Sequence, residues 1–418
     1  MKNIILFFLI LFASIISFGQ KTQFKSFDCE QILRAGDIKN SLIVGAVKKI
    51  TLKCSPKGHG NFQEVSSGKN KDRYYFKKEH NVVWILFAIK RTGNLVLTIE
   101  PLSKSDDYDF LLFKNEGKKT AKQITLKKIK PVRSNLSRNK ESNKGITGLS
   151  FTAQSTHSIS GPNHEFSKPI LVTKGDEYYI VIDNVYQYGK GCLIYLDYYS
   201  TKKITGMVQS LDSNKILNAE IAWEDPKTGK ILAQTTSDPE TGYYEMEVPY
   251  TIDNLNKKYV LSTYSENHFF SEKTYYSKDF IKDKLSPIQI NIILPKLKKG
   301  LRNRLDNINF YGNSTRLIEG ADVSLMRLKR LMKANKSLRI LIEGHTNGCS
   351  NGIHHSQKLS ENRALAIKGF LIKRKILEDR MKIIGYNCSK MLYPSAIFKG
   401  NKEQQELNRR VEILVIDY

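Results

Sequence analysis

The sequence predicts a multidomain chain: two all-β units of the sandwich or jelly-roll kind, followed by an α/β sandwich domain. Three observations carry that expectation. The chain is rich in aromatic residues, with 21 Tyr and 19 Phe among 418 residues, and such side chains suit pleated, half-buried surfaces. Residues 21–200 read as short strands with polar loops and no amphipathic helix of useful length, and 203–295 continue in strand-like runs. Beyond that point apolar residues recur at helical spacing between strand-like runs.

The first 19 residues read as an address. Met1-Lys2-Asn3 is basic, Ile4 to Ile16 is nearly all apolar, and Ser17-Phe18-Gly19 offers a small-residue cleavage site before Gln20. That is the pattern of a secretory signal peptide. The apolar run is shorter than the ~20 residues a spanning helix needs, and no Cys stands at the cleavage point for a lipid anchor. The expected location is therefore exported, in the periplasm, against the outer membrane and cell wall.

The formal net charge is +26. Nucleic acid is the usual partner of such a balance, but export argues for no nucleic acid here. Lys and Arg are also spread along the chain: residues 301–418 hold 22 against 11 Asp and Glu, so +11 lies there and +15 elsewhere. An exported basic surface meets cell-wall peptides and lipid headgroups instead. Export also permits disulfides. Cys29 with Cys54 and Cys349 with Cys388 are candidate pairs, which leaves Cys192 as a buried thiol.

The first unit, 20–200, contains Val82-Val83-Trp84-Ile85-Leu86-Phe87-Ala88-Ile89, a run expected to be a strand buried on both faces. Leu95–Ile99 and Asp109–Phe113 are further strands. The Lys/Asn/Ser-rich stretch at about 114–148 is expected to be a surface loop. Strands resume at 170–172, 178–182 and 192–198. The segments Glu79-His80-Asn81-Val82-Val83-Trp84, Gly93-Asn94-Leu95 and Asp107-Tyr108-Asp109-Phe110 resemble the jelly-roll accessory modules found beside secreted bacterial peptidases and adhesins. That resemblance implies a carrier or binding module. Asp106, Asp107 and Asp109 lack the spacing of an EF-hand and are expected to form a solvated turn.

The second unit, 201–296, opens with Ile204-Thr205-Gly206-Met207-Val208. Ala219–Trp223 alternates like a strand, and Thr235-Thr236-Ser237-Asp238 with Gly242–Val248 flanks a turn. This pattern is similar to the carboxypeptidase-regulatory-like β-sandwich. That fold implies a spacer or binding platform, and none of the peptidase's catalytic residues come with it.

In the last unit, 297–418, strands are expected at Asn307–Tyr311, Leu338–Gly344, Met381–Gly385 and Val411–Ile416. Leu325, Leu328, Leu331 and Met332 share one helix face, and Ser360 is placed to cap a second helix carrying Ala364, Ile367 and Leu371. Gly344-His345-Thr346-Asn347-Gly348, Leu359-Ser360-Glu361-Asn362-Arg363-Ala364, Gly385-Tyr386 and Asn408-Arg409-Arg410-Val411-Glu412 follow in order. Together they resemble the OmpA C-terminal-like domain.

The resemblance implies non-covalent binding of peptidoglycan through a diamino acid of the stem peptide. It implies that Arg363 meets the ligand carboxylate with a two-pronged guanidinium, from the first turn of its helix. The family's ammonium partner is an Asp, and here that position is Asn347, which brings no charge. Thr346, Asn408, Arg409 and Arg410 complete the implied peptidoglycan-binding set, one Arg in the pocket and one facing solvent. His345 is expected to pack structurally. His354 and His355 are expected on a loop, and with Cys349 and Cys388 they do not match standard zinc spacing. There is no P-loop, no G-x-S-x-G and no H-E-x-x-H, so no enzyme, no cofactor and no metal are expected.

The resulting expectation is a non-catalytic envelope protein that tethers its β units or the outer membrane to the wall. Its partners would be the stem peptide and outer-membrane or envelope proteins. The rival expectations are an adhesin or glycan-binding protein, and a subunit of an envelope export or motility machine.

Overall fold

The computed structural model describes residues 23–67, 74–104, 106–138, 144–162, 164–186, 189–281, 287–305, 307–349, 352–394 and 402–418. The expected signal peptide lies outside them. The fold is mostly β, with helices α1 (Cys29–Arg34), α2 (Thr120–Thr125), α3 (Ala321–Ala334), α4 (Ile353–Ile372) and α5 (Lys402–Asn408).

The first unit has two sheets. In one, strand Val82–Ala88 lies beside Glu177–Asn184, which pairs in turn with Tyr108–Asn115. In the other, Gly93–Pro101 pairs with Cys192–Ser210. Val83, Ile85 and Phe87 meet Leu95, Leu97 and Ile194 in one core between the sheets. Val82 and Trp84 point the other way, into a second cluster with Phe76, Leu111 and Ile124. The strand is thus buried on both faces, as its unbroken apolar run requires.

The stretch at 114–148 is not simply a surface loop. It contains α2 and the strand Arg133–Ser137, whose Ser134, Asn135, Leu136 and Ser137 are buried. Three of those four side chains are polar, which hides the strand from a hydrophobic reading. Their polar atoms are satisfied inside: Asn135 Nδ2 donates to the His164 carbonyl at 3.1 Å, and the Ser137 hydroxyl donates to Asn135 Oδ1 at 2.7 Å. Asp106 and Asp107 do not form a solvated turn either, being 2% and 8% exposed. Burial raises the Asp106 carboxyl above the usual range, and burial with Asp107 and Asp183 nearby raises Asp109 further.

Cys192–Ser210 is a single 19-residue strand. Its first half belongs to the first unit and its second half pairs with Tyr243–Tyr250 in the second. The position expected to divide the units, residue 200, therefore falls inside continuous backbone pairing. In the second unit Trp223 anchors the core, stacked on Tyr259 at 5.1 Å with its Nε1–H donating to the Pro249 carbonyl at 2.9 Å. Cys29–Cys54 and Cys349–Cys388 are bonded, and Cys192 is buried and free.

The last unit has a four-stranded sheet in the order Arg302–Arg304, Val411–Asp417, Arg339–Gly344, Met381–Gly385. Its edge strand is Arg302–Arg304 rather than the expected Asn307–Tyr311. That segment makes only a bridge between Phe310 and Leu317. Phe310 is apolar because it is buried against the core and not because it pairs in the sheet. Leu325, Leu328, Leu331 and Met332 of α3 fill this core, as do Ala364, Ile367 and Leu371 of α4. Phe269 and Phe270, which precede the expected boundary at 297, belong to the same core. Arg327 of α3 adds ion pairs to Glu224 and Glu272 of the second unit.

Candidate functional site

The site lies where α4 crosses the ends of two parallel strands. Gly344 and Gly385 are register partners, and both make that crossing possible. A Cβ on Gly344 would stand 2.0 Å from the Ser360 carbonyl oxygen, and one on Gly385 2.3 Å from Ser360 Oγ. Only glycine lets the helix backbone approach so closely. Beyond Gly344 the chain turns out as Thr346-Asn347-Gly348, tied down by Cys349–Cys388.

Helix α4 begins at Ile353, not at Ser360, so Arg363 is in its middle and His354 and His355 are in its first turn. The face of α4 turned to the core in its first half is Ser356, Ser360 and Arg363. Those residues are polar, so they leave no apolar periodicity to read. Ser360 is no cap: its hydroxyl donates to the Gln357 carbonyl at 2.8 Å and accepts from the Asn387 N–H at 3.1 Å. The positive end of α4 still faces the site through His355 and Ser356, which line it.

The result is a cleft of about 400 Å³. Arg363, Arg409, Asn347, Thr346 and His355 are among its walls, with Asn313 and Gln405 at its sides. Arg363 is 1% exposed. Its Nε donates to the Ser314 carbonyl at 3.1 Å, Nη1 to the His345 carbonyl at 3.1 Å and Nη2 to the Tyr311 carbonyl at 3.4 Å. The guanidinium rests over the Phe310 ring at 5.2 Å. Three of its five N–H donors are thus fixed, and two have no acceptor among the described residues. No carboxylate ion-pairs with it among the described residues. Burial, with Arg409 adding a like charge, lowers its pKa to about 10, so it stays charged at neutral pH.

Arg409 lines the cleft beside it, and its buried Nε has no hydrogen-bond partner among the described residues. Arg410 does not line the cleft. Its Nε donates to Glu412 at 2.6 Å and its Nη2 to the Lys390 carbonyl at 3.0 Å. Asn408 is fully buried and also outside the lining. Its Nδ2 donates to Asn347 Oδ1 and to the Tyr393 carbonyl, both at 2.9 Å, while its Oδ1 accepts the Tyr393 N–H at 2.9 Å. It therefore holds two loops together and is a positioning residue. Thr346 is buried, and its hydroxyl donates to the Gly348 carbonyl at 3.3 Å.

His345 is 1% exposed and stacks on Tyr386 at 5.5 Å. Burial, helped by Arg410, lowers its pKa to about 4, so it is neutral. Its ligand atom and those of Glu343 and Glu412 lie within 4.8 Å of one another, the one such group of three among the described residues. Arg302 spans Glu343 at 2.7 and 3.0 Å, and Arg410 holds Glu412. Two guanidiniums thus balance two carboxylates, and the group reads as an ion-pair network behind the cleft.

Sequence reasoning missed His355, Asn313, Leu359 and Gln405 as wall residues, and the carbonyls of Tyr311 and Ser314 as holders of Arg363. The available signal was the turn composition of Tyr311-Gly312-Asn313-Ser314, where Asn313 takes a left-handed conformation at φ 48°.

Comparison with known proteins places likeness in this last unit. Residues 309–405 match the OmpA family. The Photosystem I P700 chlorophyll a apoprotein A2 of Gloeobacter violaceus is 35% identical over 112 residues, covering 26% of this chain and 13% of that protein. Outer membrane protein A of Buchnera aphidicola is 33% identical over 119 residues, covering 27% of this chain and 34% of that protein. The chain thus spans about a third, or far less, of the length of these curated relatives. The crystal structure of the peptidoglycan-associated lipoprotein from Burkholderia pseudomallei aligns with a TM-score of 0.24 and 18% identity, over 26% of this chain and 86% of that one.

Proposed function

From the premise that residues 309–405 are an OmpA family domain, we propose that the chain is a non-catalytic envelope protein that binds peptidoglycan through the cleft at Arg363. One observation carries this reading: two guanidiniums line one cleft with no carboxylate paired to either among the described residues. A buried cation without a counter-ion is costly, so the site is completed by an anion from outside. A stem-peptide carboxylate has the right charge and can take the two remaining donors of Arg363.

The β units then extend from the wall. The continuous strand Cys192–Ser210 and the shared core of Phe269 and Phe270 support a rigid connection rather than a loose tether. Two β-sandwich units, an exported location and contact with outer-membrane or envelope proteins complete the proposal. Dense repeating sites on the wall would hold the protein even where each contact is weak.

The test is co-sedimentation of the mature chain with purified sacculi. Wild type is expected in the pellet and Arg409→Gln in the supernatant, because Arg409 lines the cleft without holding the fold. Equal retention of the two proteins would refute the role of the cleft.

A further inference from the structure

Six oxygen acceptors around the cleft are already engaged by protein donors. Asn347 Oδ1 accepts from Asn408, and the carbonyls of Ser314, His345 and Tyr311 accept from Arg363. The Gly348 carbonyl accepts the hydroxyls of Thr346 and Ser356, at 3.3 and 3.1 Å. Asn313 Oδ1 faces His355 Nε2 at 3.1 Å. No Asp or Glu is among the described lining residues. An ammonium entering this cleft would meet two guanidiniums and no negative charge.

Asn347 makes the asymmetry directional. Asn347 lines the cleft, its oxygen is taken by Asn408, and its Nδ2 is the end for which no described residue is an acceptor. The side chain therefore offers a donor. A ligand carbonyl answers a donor, whereas a ligand ammonium repeats it. A carboxylate answers Arg363 and Arg409.

We propose that this cleft selects a carboxylate whose neighbouring amine is acylated: the carboxylate takes the two guanidiniums and the acyl carbonyl takes Asn347 Nδ2. In a wall polymer that chemistry belongs to a diamino acid whose side-chain amine is closed in an amide, as in a cross-link, and not to one whose amine is free. The inference rests on the cleft being the wall-binding site.

Titration calorimetry of the mature chain with meso-diaminopimelate and with its mono-N-acetyl derivative tests it. The acetylated compound is expected to bind about tenfold more tightly, the effect of removing one unit charge from a partly solvated cationic site. Asn347→Asp is expected to reverse the order, since a carboxylate there can still accept from Asn408 while attracting an ammonium. Equal or tighter binding of the free diamino acid by wild type would overturn the selectivity and leave the wall-binding reading intact. Binding of neither compound would remove that reading, and the selectivity with it.

Discussion

Replacing Glu79 with Gln tests how far the first unit depends on a buried acid staying neutral. Glu79 is fully buried. One oxygen accepts the Val65 N–H at 2.6 Å, and the other has no hydrogen-bond partner among the described residues. Burial, with Glu64 and Asp183 adding negative charge, raises its pKa from 4.5 to about 8. Burial likewise raises Glu64 to about 7. The folded value lies above the unfolded one, so the stability is complete below about pH 4.5 and is lost as pH rises through about 8. Ionising Glu79 against that preference costs up to about 5 kcal/mol. Local rearrangement and water entry reduce the figure, so Glu79→Gln is expected to gain about 2–3 kcal/mol over wild type at pH 9 and almost nothing at pH 5. Gln keeps the acceptor for Val65 and resembles the protonated acid. Urea denaturation from pH 5 to 9, followed by fluorescence of Trp84 in the adjoining cluster, measures the difference. Parallel stability profiles for the two proteins would refute the reasoning.

Arg363→Ala should lower the melting temperature of the last unit, because three carbonyls lose their donor at a cost of about 3 kcal/mol or more. Arg409→Gln should change stability by less than about 0.5 kcal/mol in the same melt. Cysteine-to-serine replacement at both 349 and 388 opens a bridge with a sequence separation of 39. It should cost about 3–4 kcal/mol in chemical denaturation and weaken retention by sacculi as the Asn347 loop loosens. Phe269→Ala should cost about 3–4 kcal/mol. Amide exchange should then rise in α3 and α4, although the substituted residue precedes that unit.

Where buried residues are apolar, the chain was legible. The run from Val82 shows a two-faced buried strand directly, and Leu325 to Met332 show a helix face. Arg339–Gly344 and Met381–Gly385 appear within a residue or so of their expected bounds. Where burial is polar, legibility fails for a physical reason. Ser356, Ser360 and Arg363 form the inner face of the first half of α4, so its start at Ile353 left no hydrophobic signature. Strand Arg133–Ser137 was hidden in the same way. Of the candidate site, Arg363, Thr346 and Asn347 were identified by motif and do share the cleft. Motif alone could not separate Arg409, which lines it, from Arg410, which turns to Glu412. That choice depends on where Glu412 sits across the sheet. Asn408 stands in the motif but acts through Asn347.

A wall carboxylate is expected to sit between Arg363 and Arg409. Nuclear magnetic resonance titration of the mature chain with a purified stem peptide tests it most directly. The Arg363 and Arg409 side-chain N–H signals and the Asn347 and Gly348 amides are expected to shift saturably, the shifts fading as salt is raised. Shifts confined to the β units, with the two guanidinium signals unmoved at saturation, would contradict it.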